Sequence, residues 1–321
     1  MKNPLTVHIL TKDNESDICS CLESVRSLPC EIIVGDLGSK DSTREKCRLF
    51  DAKIYRISLN DSLARARNEL ASHSETPWNM WIRPEEIIIS GHEAIMEAMA
   101  SGEDKAFNIH LMQGDIVTKP ARIWHHDTCA KFKNHAFETL DCVATDIDSF
   151  LVSSGTRQAL DIVEICTRWH ASMPLSAEPL YYLACAHLQR GSAENFLNYA
   201  ESYLHAEKKQ QMSYFMIKYY ICMVLCYHKK DYRRALENII PCLAKCPAMA
   251  EFWCVAGDVF YNAGDYSRAI SMYTNALVVG ERRRSDSCWP MEVSKYGDYP
   301  KTMIESCKTL AGVSKVYVGR A

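Results

Sequence analysis

The chain has 321 residues, of which 47% are apolar and 24% charged, and its formal net charge is −3. That length supports two domains with a core each, and the composition is that of a globular protein. It excludes general electrostatic capture of nucleic acid or anionic lipid, and no stretch approaches the ~18 uninterrupted apolar residues of a membrane span. The first ten residues lack the long apolar run and small-residue cleavage site of a secretory signal. Fifteen cysteines scattered through apolar segments such as 221–226 read as small hydrophobes in a reducing compartment, so a cytoplasmic location is expected.

Taken in order, the first half alternates short apolar runs with helical stretches. Thr6–Thr11 reads as a strand, Asp17–Ser27 as a helix, and Glu31–Gly35 as a second strand. Ser42–Phe50 reads as a helix, Lys53–Ile57 as a strand, and Leu63–Ser72 as a helix. Met80–Ile82 begins a fourth strand and Ala106–Met112 forms a later one. Strands that are apolar throughout, separated by helices, predict a mixed, mostly parallel α/β sheet covered on both faces.

From about Pro179 the pattern is continuously helical. Asp231-Tyr232-x-x-Ala235 recurs 34 residues later as Asp265-Tyr266-x-x-Ala269, which is the tetratricopeptide period. Trp253, Gly257, Gly264, Tyr266, Ala269, Tyr273 and Ala276 fit that motif, with Pro247 where the preceding repeat should close. A weaker unit spans Leu180–His205 with Gly191 in its turn. Cys222/Cys226 and Cys242/Cys246 have the i,i+4 spacing of metal ligands, but an antiparallel hairpin separates the pairs, and core packing is the expected role. Arg282-Arg283-Arg284 is a tight basic cluster, read as a solvated loop.

Four segments of the first half carry chemistry. They are Thr11-Lys12-Asp13-Asn14-Glu15, Gly35-Asp36-Leu37-Gly38-Ser39-Lys40-Asp41-Ser42-Thr43, Asp61 through Arg67-Asn68, and Trp78-x-x-Trp81-Ile82-Arg83-Pro84-Glu85-Glu86. Ligands of open α/β sheets bind beyond the carboxyl ends of strands, where three of these lie. Gly38 permits a tight turn, Ser39 and Thr43 suit a helix cap, and a guanidinium such as Arg67 suits phosphate oxygens.

In order and spacing these segments resemble the nucleotide-sugar signatures of family 2 glycosyltransferases, a GT-A (Rossmann-like) fold. With the helical repeats the layout is similar to the sublancin-type S-glycosyltransferases. The resemblance implies a nucleoside diphosphate sugar as donor, with UDP as its nucleotide, and an inverting transfer. It places Thr11, Asn14, Glu15, Asp36, Gly38, Ser39, Asp41, Arg67 and Asn68 at the donor. It also implies an Asp-x-Asp-Glu metal motif for Mg²⁺ or Mn²⁺, where this chain has Arg83-Pro84-Glu85-Glu86. Either Arg83 neutralises the diphosphate directly, or Glu85 alone holds a metal, or the donor site is degenerate. The acceptor-side stretch resembles Arg122–Leu140, with Glu138 first and His135 second as the base that deprotonates the acceptor. His125 and Asp127, on one side of a strand, form a further candidate metal pair.

The expected organisation is a nucleotide-sugar domain over 1–150, a helical connection over 151–178 and a tetratricopeptide-like array over 179–321. The acceptor stays open between peptide or protein, glycan and nucleic acid. A nucleic-acid acceptor would call for a basic rim at Lys119, Arg122, Lys131 and Lys133. The alternative is a non-catalytic scaffold whose repeats hold a protein partner or a second copy.

Overall fold

In the computed structural model the described residues are 3–154, 160–280 and 290–318; the cluster at 282–284 lies outside them. The chain divides into two compact units: Met1–Trp169 with Cys288–Pro290, and His170–Ser287 with Met291–Ala321.

The first unit is built on a sheet whose middle is dictated by its most apolar strand. All seven residues of β1 (Leu5–Thr11) are buried, so neither face of this strand meets water. It pairs in parallel with β2 (Cys30–Asp36), Leu5 opposite Cys30 and Thr11 opposite Asp36. β3 (Lys53–Arg56) continues on the β2 side and β4 (Trp78–Ile82) lies on the other, both parallel. Beyond β4 the direction reverses. β8 (Ala121–His125) is antiparallel to β4 and to β6 (Ala106–Gln113), and β7 (Ile116–Thr118) folds back on β6. β11 (Thr145–Ser153) runs parallel to β6 and carries β5 (Glu86–Ser90) antiparallel. The sheet is therefore mixed, as expected.

Helices α1 (Ile18–Val25), α2 (Thr43–Arg48), α3 (Leu63–Ala71) and α4 (His92–Ser101) follow β1, β2, β3 and β5. α1 buries Ile18, Cys21, Leu22 and Val25 at the spacing of one helix face, against the core that holds Leu5, Val7 and Ile9. Ser62 starts α3 by accepting from the Arg65 amide at 3.2 Å. A short hairpin of β9 (Phe132–Lys133) and β10 (Thr139–Leu140) packs on α3. In the segment 151–178 the structure has the end of β11 and helix α5 (Ile162–Ser172).

The second unit pairs helices. α6 (Ala177–Gln189) packs on α7 (Ala193–Ala206), and α8 (Met212–Val224) on α9 (Tyr232–Lys245). α10 (Ala250–Asn262) packs on α11 (Tyr266–Gly280), which meets α12 (Asp298–Val318). The repeat shows as a shared local device. Asp231 accepts from the Arg234 amide at 3.2 Å, and 34 residues later Asp265 accepts from Arg268 at 3.0 Å, each capping its helix. Gly257 is needed where it is, because a Cβ there would stand 2.5 Å from the Tyr273 ring. Cys222, Cys226 and Cys242 are buried in this helical core, and the Cys242 thiol donates to the Phe215 carbonyl. No helix among the described residues is long and apolar enough to cross a membrane.

Candidate active site

Beyond the carboxyl ends of β1 and β4 lies a cleft. Lys12, Arg67, Arg83 and Glu85 are its charged lining residues, with Thr11, Asn14 and Leu63 beside them. Thr11 closes β1, Arg83 follows β4 directly, and Arg67 projects from α3. Among the described lining residues the cations outnumber the carboxylates, so the cleft suits an anion.

Two of these cations are held by buried carboxylates. Arg67 donates from Nε to Glu138 at 2.8 Å, with both side chains almost wholly out of solvent. The Arg83 amide donates to Glu86 at 2.8 Å, and its guanidinium Nε stands 3.8 Å from the same carboxylate. Glu86, with 0% exposure, also takes a 2.7 Å bond from Arg122. Burial alone would push the Glu86 carboxyl up, but Arg122 and Arg83 outweigh it and hold it below the usual carboxylate range. The indole of Trp81 is the common platform. The Arg122, Arg67 and Arg83 guanidiniums lie 3.7, 4.4 and 5.7 Å from its ring centre.

Beside the cleft the first two loops lock to each other. Asp13, Asn14 and Glu15 donate their amides to Ser39, Thr43 and Asp41. In return Lys40 and Ser42 donate theirs to Asp13 and Glu15. Asp36 accepts from the Ser39 amide at 2.9 Å and is buried, with Arg44 at 4.0 Å. Gly38 makes this turn at φ +94°. The Ser42 hydroxyl and amide hold Glu15 below its ordinary range. Burial would raise Asp41, but bonds from Thr43 and Glu15 lower it.

Residues 6–82 match the family model of glycosyl transferase family 2. The matched residues lie within the first unit. No curated protein sequence matches. Among solved structures, S. aureus TarS 1–349 is 13% identical over 95% of this chain and 91% of its own, at TM-score 0.39. MamA from Desulfovibrio magneticus RS-1 is 17% identical over 49% of this chain and 85% of its own, at TM-score 0.35. Glucosyl-3-phosphoglycerate synthase from Mycobacterium tuberculosis, solved with Mn²⁺, UDP and glucosyl-3-phosphoglycerate, is 16% identical over 34% and 43%, at TM-score 0.28. At TM-scores this low, none of these likenesses bears on the chemistry of this chain.

Of the residues named from the sequence, the cleft brings together Thr11, Asn14, Arg67, Arg83 and Glu85. Glu15, Asp36, Gly38, Ser39 and Asp41 form the adjoining loop network. Asn68 clamps the hairpin, its amide donating to and accepting from the Phe132 backbone at 3.0 and 2.9 Å. Asn134 and Phe137 take positive φ and turn the chain around His135. Its Nδ1 lies 3.0 Å from the Asp61 carbonyl and its ring stacks on Trp169. Trp81 and Glu86 stand in the quoted motifs, yet their roles emerge only from their contacts with Arg122 and Arg83, and Lys12 emerges only as a lining residue of the cleft.

A resident divalent ion does not fit this donor set. Glu85 is the one carboxylate among the described lining residues, and Glu86 is taken by Arg122 and Arg83. Elsewhere β8 ends at His125 and a 3₁₀ turn follows, so His125, His126 and Asp127 converge with ligand atoms within 4.8 Å. That corrects the two-residue pair expected on a continuous strand. Lys105 already bonds Asp127 at 2.6 Å. The basic rim does not form either: Arg122 is buried, while Lys119 and Lys133 pair with Asp146 and Asp141.

Proposed function

We propose that this chain is a glycosyltransferase whose cleft binds the diphosphate of a nucleoside diphosphate sugar, UDP being the nucleotide, through fixed cations in place of a metal. The observation that carries the reading is the trio Lys12, Arg67 and Arg83 around Glu85 at the carboxyl ends of β1 and β4. Guanidiniums fixed by buried carboxylates need no reorganisation when charge develops on a leaving diphosphate. Arg83 stands at the first carboxylate of the family pattern and does the ion's electrostatic work. The loop network around Asp36 shapes the nucleotide side of the cleft.

For the acceptor, His135 is the better-placed base. A carbonyl only accepts, so the Nδ1–H of a neutral His135 donates to Asp61 and the lone pair sits on Nε2. Its backbone carbonyl takes the amide of Leu63, which lines the cleft. Glu138 positions Arg67. The transfer is a single inverting displacement in which Nε2 takes the acceptor's proton as the sugar leaves the diphosphate.

Calorimetry with UDP tests this reading. UDP binds the native chain with or without Mn²⁺, and Arg83→Gln weakens it at least about tenfold, the loss of one charge-assisted phosphate contact. Binding that needs Mn²⁺, or that is indifferent to Arg83→Gln, would overturn it. Release of free UDP from a UDP-sugar, slowed by His135→Ala with UDP affinity unchanged, separates the enzyme from a binding scaffold. The donor sugar and acceptor follow from screening with that assay.

A further inference from the structure

At the end of β4 opposite Arg83, three consecutive residues turn their polar atoms onto one another. β8 ends at His125, which stands beside Trp78 of β4, and His126 and Asp127 open the 3₁₀ turn that follows. Backbone bonds fix this turn to its neighbours. The His125 amide donates to the Lys105 carbonyl at 2.7 Å, just before β6. The His126 amide donates to the Pro77 carbonyl at 2.9 Å, just before β4. On a continuous strand the two histidines would point to opposite faces. The turn instead brings their ring centres to 4.5 Å, and their ligand atoms lie with that of Asp127 within 4.8 Å of one another.

The hydrogen bonds around the cluster assign its nitrogens. A carbonyl only accepts, so Nδ1 of His126, 3.3 Å from the Pro77 carbonyl, carries the proton, and in the neutral ring Nε2 keeps its lone pair. That Nε2 lies 3.0 Å from Oδ1 of Asp127, itself an acceptor. On the other ring Nδ1 of His125 accepts from the Asp127 amide at 3.3 Å and also lies 3.3 Å from Oδ2 of Asp127. Two lone-pair nitrogens and a carboxylate facing one another repel unless a positive centre joins them. Lys105 supplies part of it, its ammonium 2.6 Å from Oδ2, which leaves Oδ1 and both imidazoles to a second cation. Neighbouring ligands of an ion bonded at about 2.0–2.1 Å stand at similar separations. A ligating histidine also donates its other N–H to an outer partner, as His126 does to Pro77.

We propose that Nδ1 of His125, Nε2 of His126 and the Asp127 carboxylate form a surface site for a late first-row divalent cation such as Zn²⁺, with water completing its coordination. Imidazole nitrogens select such ions over Mg²⁺ and Ca²⁺, which take oxygen ligands. The site stands at the far end of β4 from the donor cleft and does not depend on the transferase reading. Bound there, the ion braces the turn that joins the end of β8 to the chain entering β4 and β6.

The test uses the full chain with ¹⁵N-labelled histidine, so that binding of zinc by any of the fifteen cysteines stays out of the reading. His126→Gln identifies the His126 ring signals by removing them. Zn²⁺, added at neutral pH without chelator, moves those signals to saturation. Asp127→Asn weakens this binding at least about tenfold, the lower end of what even an outer-shell partner costs. Lys105→Met tightens it about two- to fivefold, because one exposed competing charge is gone. His126 signals that stay still, or that respond equally in Asp127→Asn, overturn the proposal in favour of a shared proton. Mg²⁺ moving them as strongly as Zn²⁺ overturns the choice of ion. Should Asp127→Asn fail to fold, Lys105→Met decides alone, since Lys105 is exposed and an affinity no tighter than native overturns the site.

Discussion

The two units bury acid in opposite ways. In the first, Glu86 and Glu138 are each met by a guanidinium, at 2.7 and 2.8 Å. In the second, Asp258 is 1% exposed and is met mainly by phenols, accepting from Tyr227, Tyr273 and Tyr299. Glu251 there likewise accepts from Tyr296 at 2.6 Å. Burial pushes the Tyr273 and Tyr299 phenols far up, so these donors stay neutral. Neutral donors tie helices together without adding charge. Guanidiniums also leave a surplus of fixed positive charge at their outer edge, and Arg67 and Arg83 spend it on the cleft. Under the proposed function, ion pairs serve where an anion must bind, and phenols serve where packing is required.

The sharpest way to break this contrast is Arg122→Met. It strips Glu86 of its 2.7 Å partner and leaves Arg83 at 3.8 Å to compensate a wholly buried carboxylate. Removing one member of such a pair costs about 3–5 kcal/mol. The expected result is a matching fall in the urea midpoint, with exchange protection lost first along β4 and β8. Adding Glu86→Gln should restore most of it, since the stranded charge is then gone. A double variant as unstable as the single one would show that packing on Trp81, not charge, holds the stack.

Next in size is a pH effect confined to the first unit. Burial lowers His8 to about 4 from 6.5, with the Asn79 bond opposing and Arg67 assisting. Below 6.5 the unfolded chain therefore binds a proton that the folded chain refuses. The contribution is complete above pH 6.5 and is lost as pH falls from 6.5 towards 4, amounting to about 3 kcal/mol. Urea midpoints at pH 7.5, 6 and 5 should fall steadily, and His8→Gln should flatten the slope. An unchanged slope in the variant would mean that His8 is protonated in the fold.

The corresponding change in the helical unit should be gentler. Asp258→Asn keeps the shape and leaves one carbonyl for the three phenols, so it weakens charged hydrogen bonds without stranding a charge. About 1–3 kcal/mol is expected, less than for Arg122→Met. Tyr273→Phe should cost less again, because two phenols remain on Asp258. If Asp258→Asn proved the costlier substitution, the difference drawn between the two units would fail.

What could be read from the chain follows the same division. Periodicity reports local geometry, so β1, α3 and the 34-residue repeat stood out. The Asp231 and Asp265 caps lie within three residues of the amides they hold. The cleft was legible in so far as it is made from strand ends: Thr11, Asn14, Arg67, Arg83 and Glu85 all belong to quoted segments. Its supports were not. Glu86 meets Arg122, 36 residues away, only because β8 runs antiparallel beside β4 and sets Arg122 next to Trp81. Arg67 meets Glu138 across 71 residues, and Asn68 meets Phe132 across 64. Nothing in the spacing of such residues marks them as partners, and the turn around His135 depends on positive φ at Asn134 and Phe137.

The smallest effect tests the part of the comparison that rests on repetition. Asp231 and Asp265 hold equivalent helix starts, at 3.2 and 3.0 Å from the amides of Arg234 and Arg268. Each alanine variant loses one cap, about 1 kcal/mol. Two equal falls in the thermal midpoint would show that the units of the array share stability evenly. Their surroundings argue for a small inequality. Asp265 also pairs with Arg268 at 3.0 Å, whereas Asp231 stands 3.9 Å from the Arg234 guanidinium, which bonds Glu201 at 2.9 Å instead. Asp265→Ala should therefore be the costlier by a few tenths of a kcal/mol, the worth of an exposed helical ion pair, and salt should erase that margin while leaving the common loss in place.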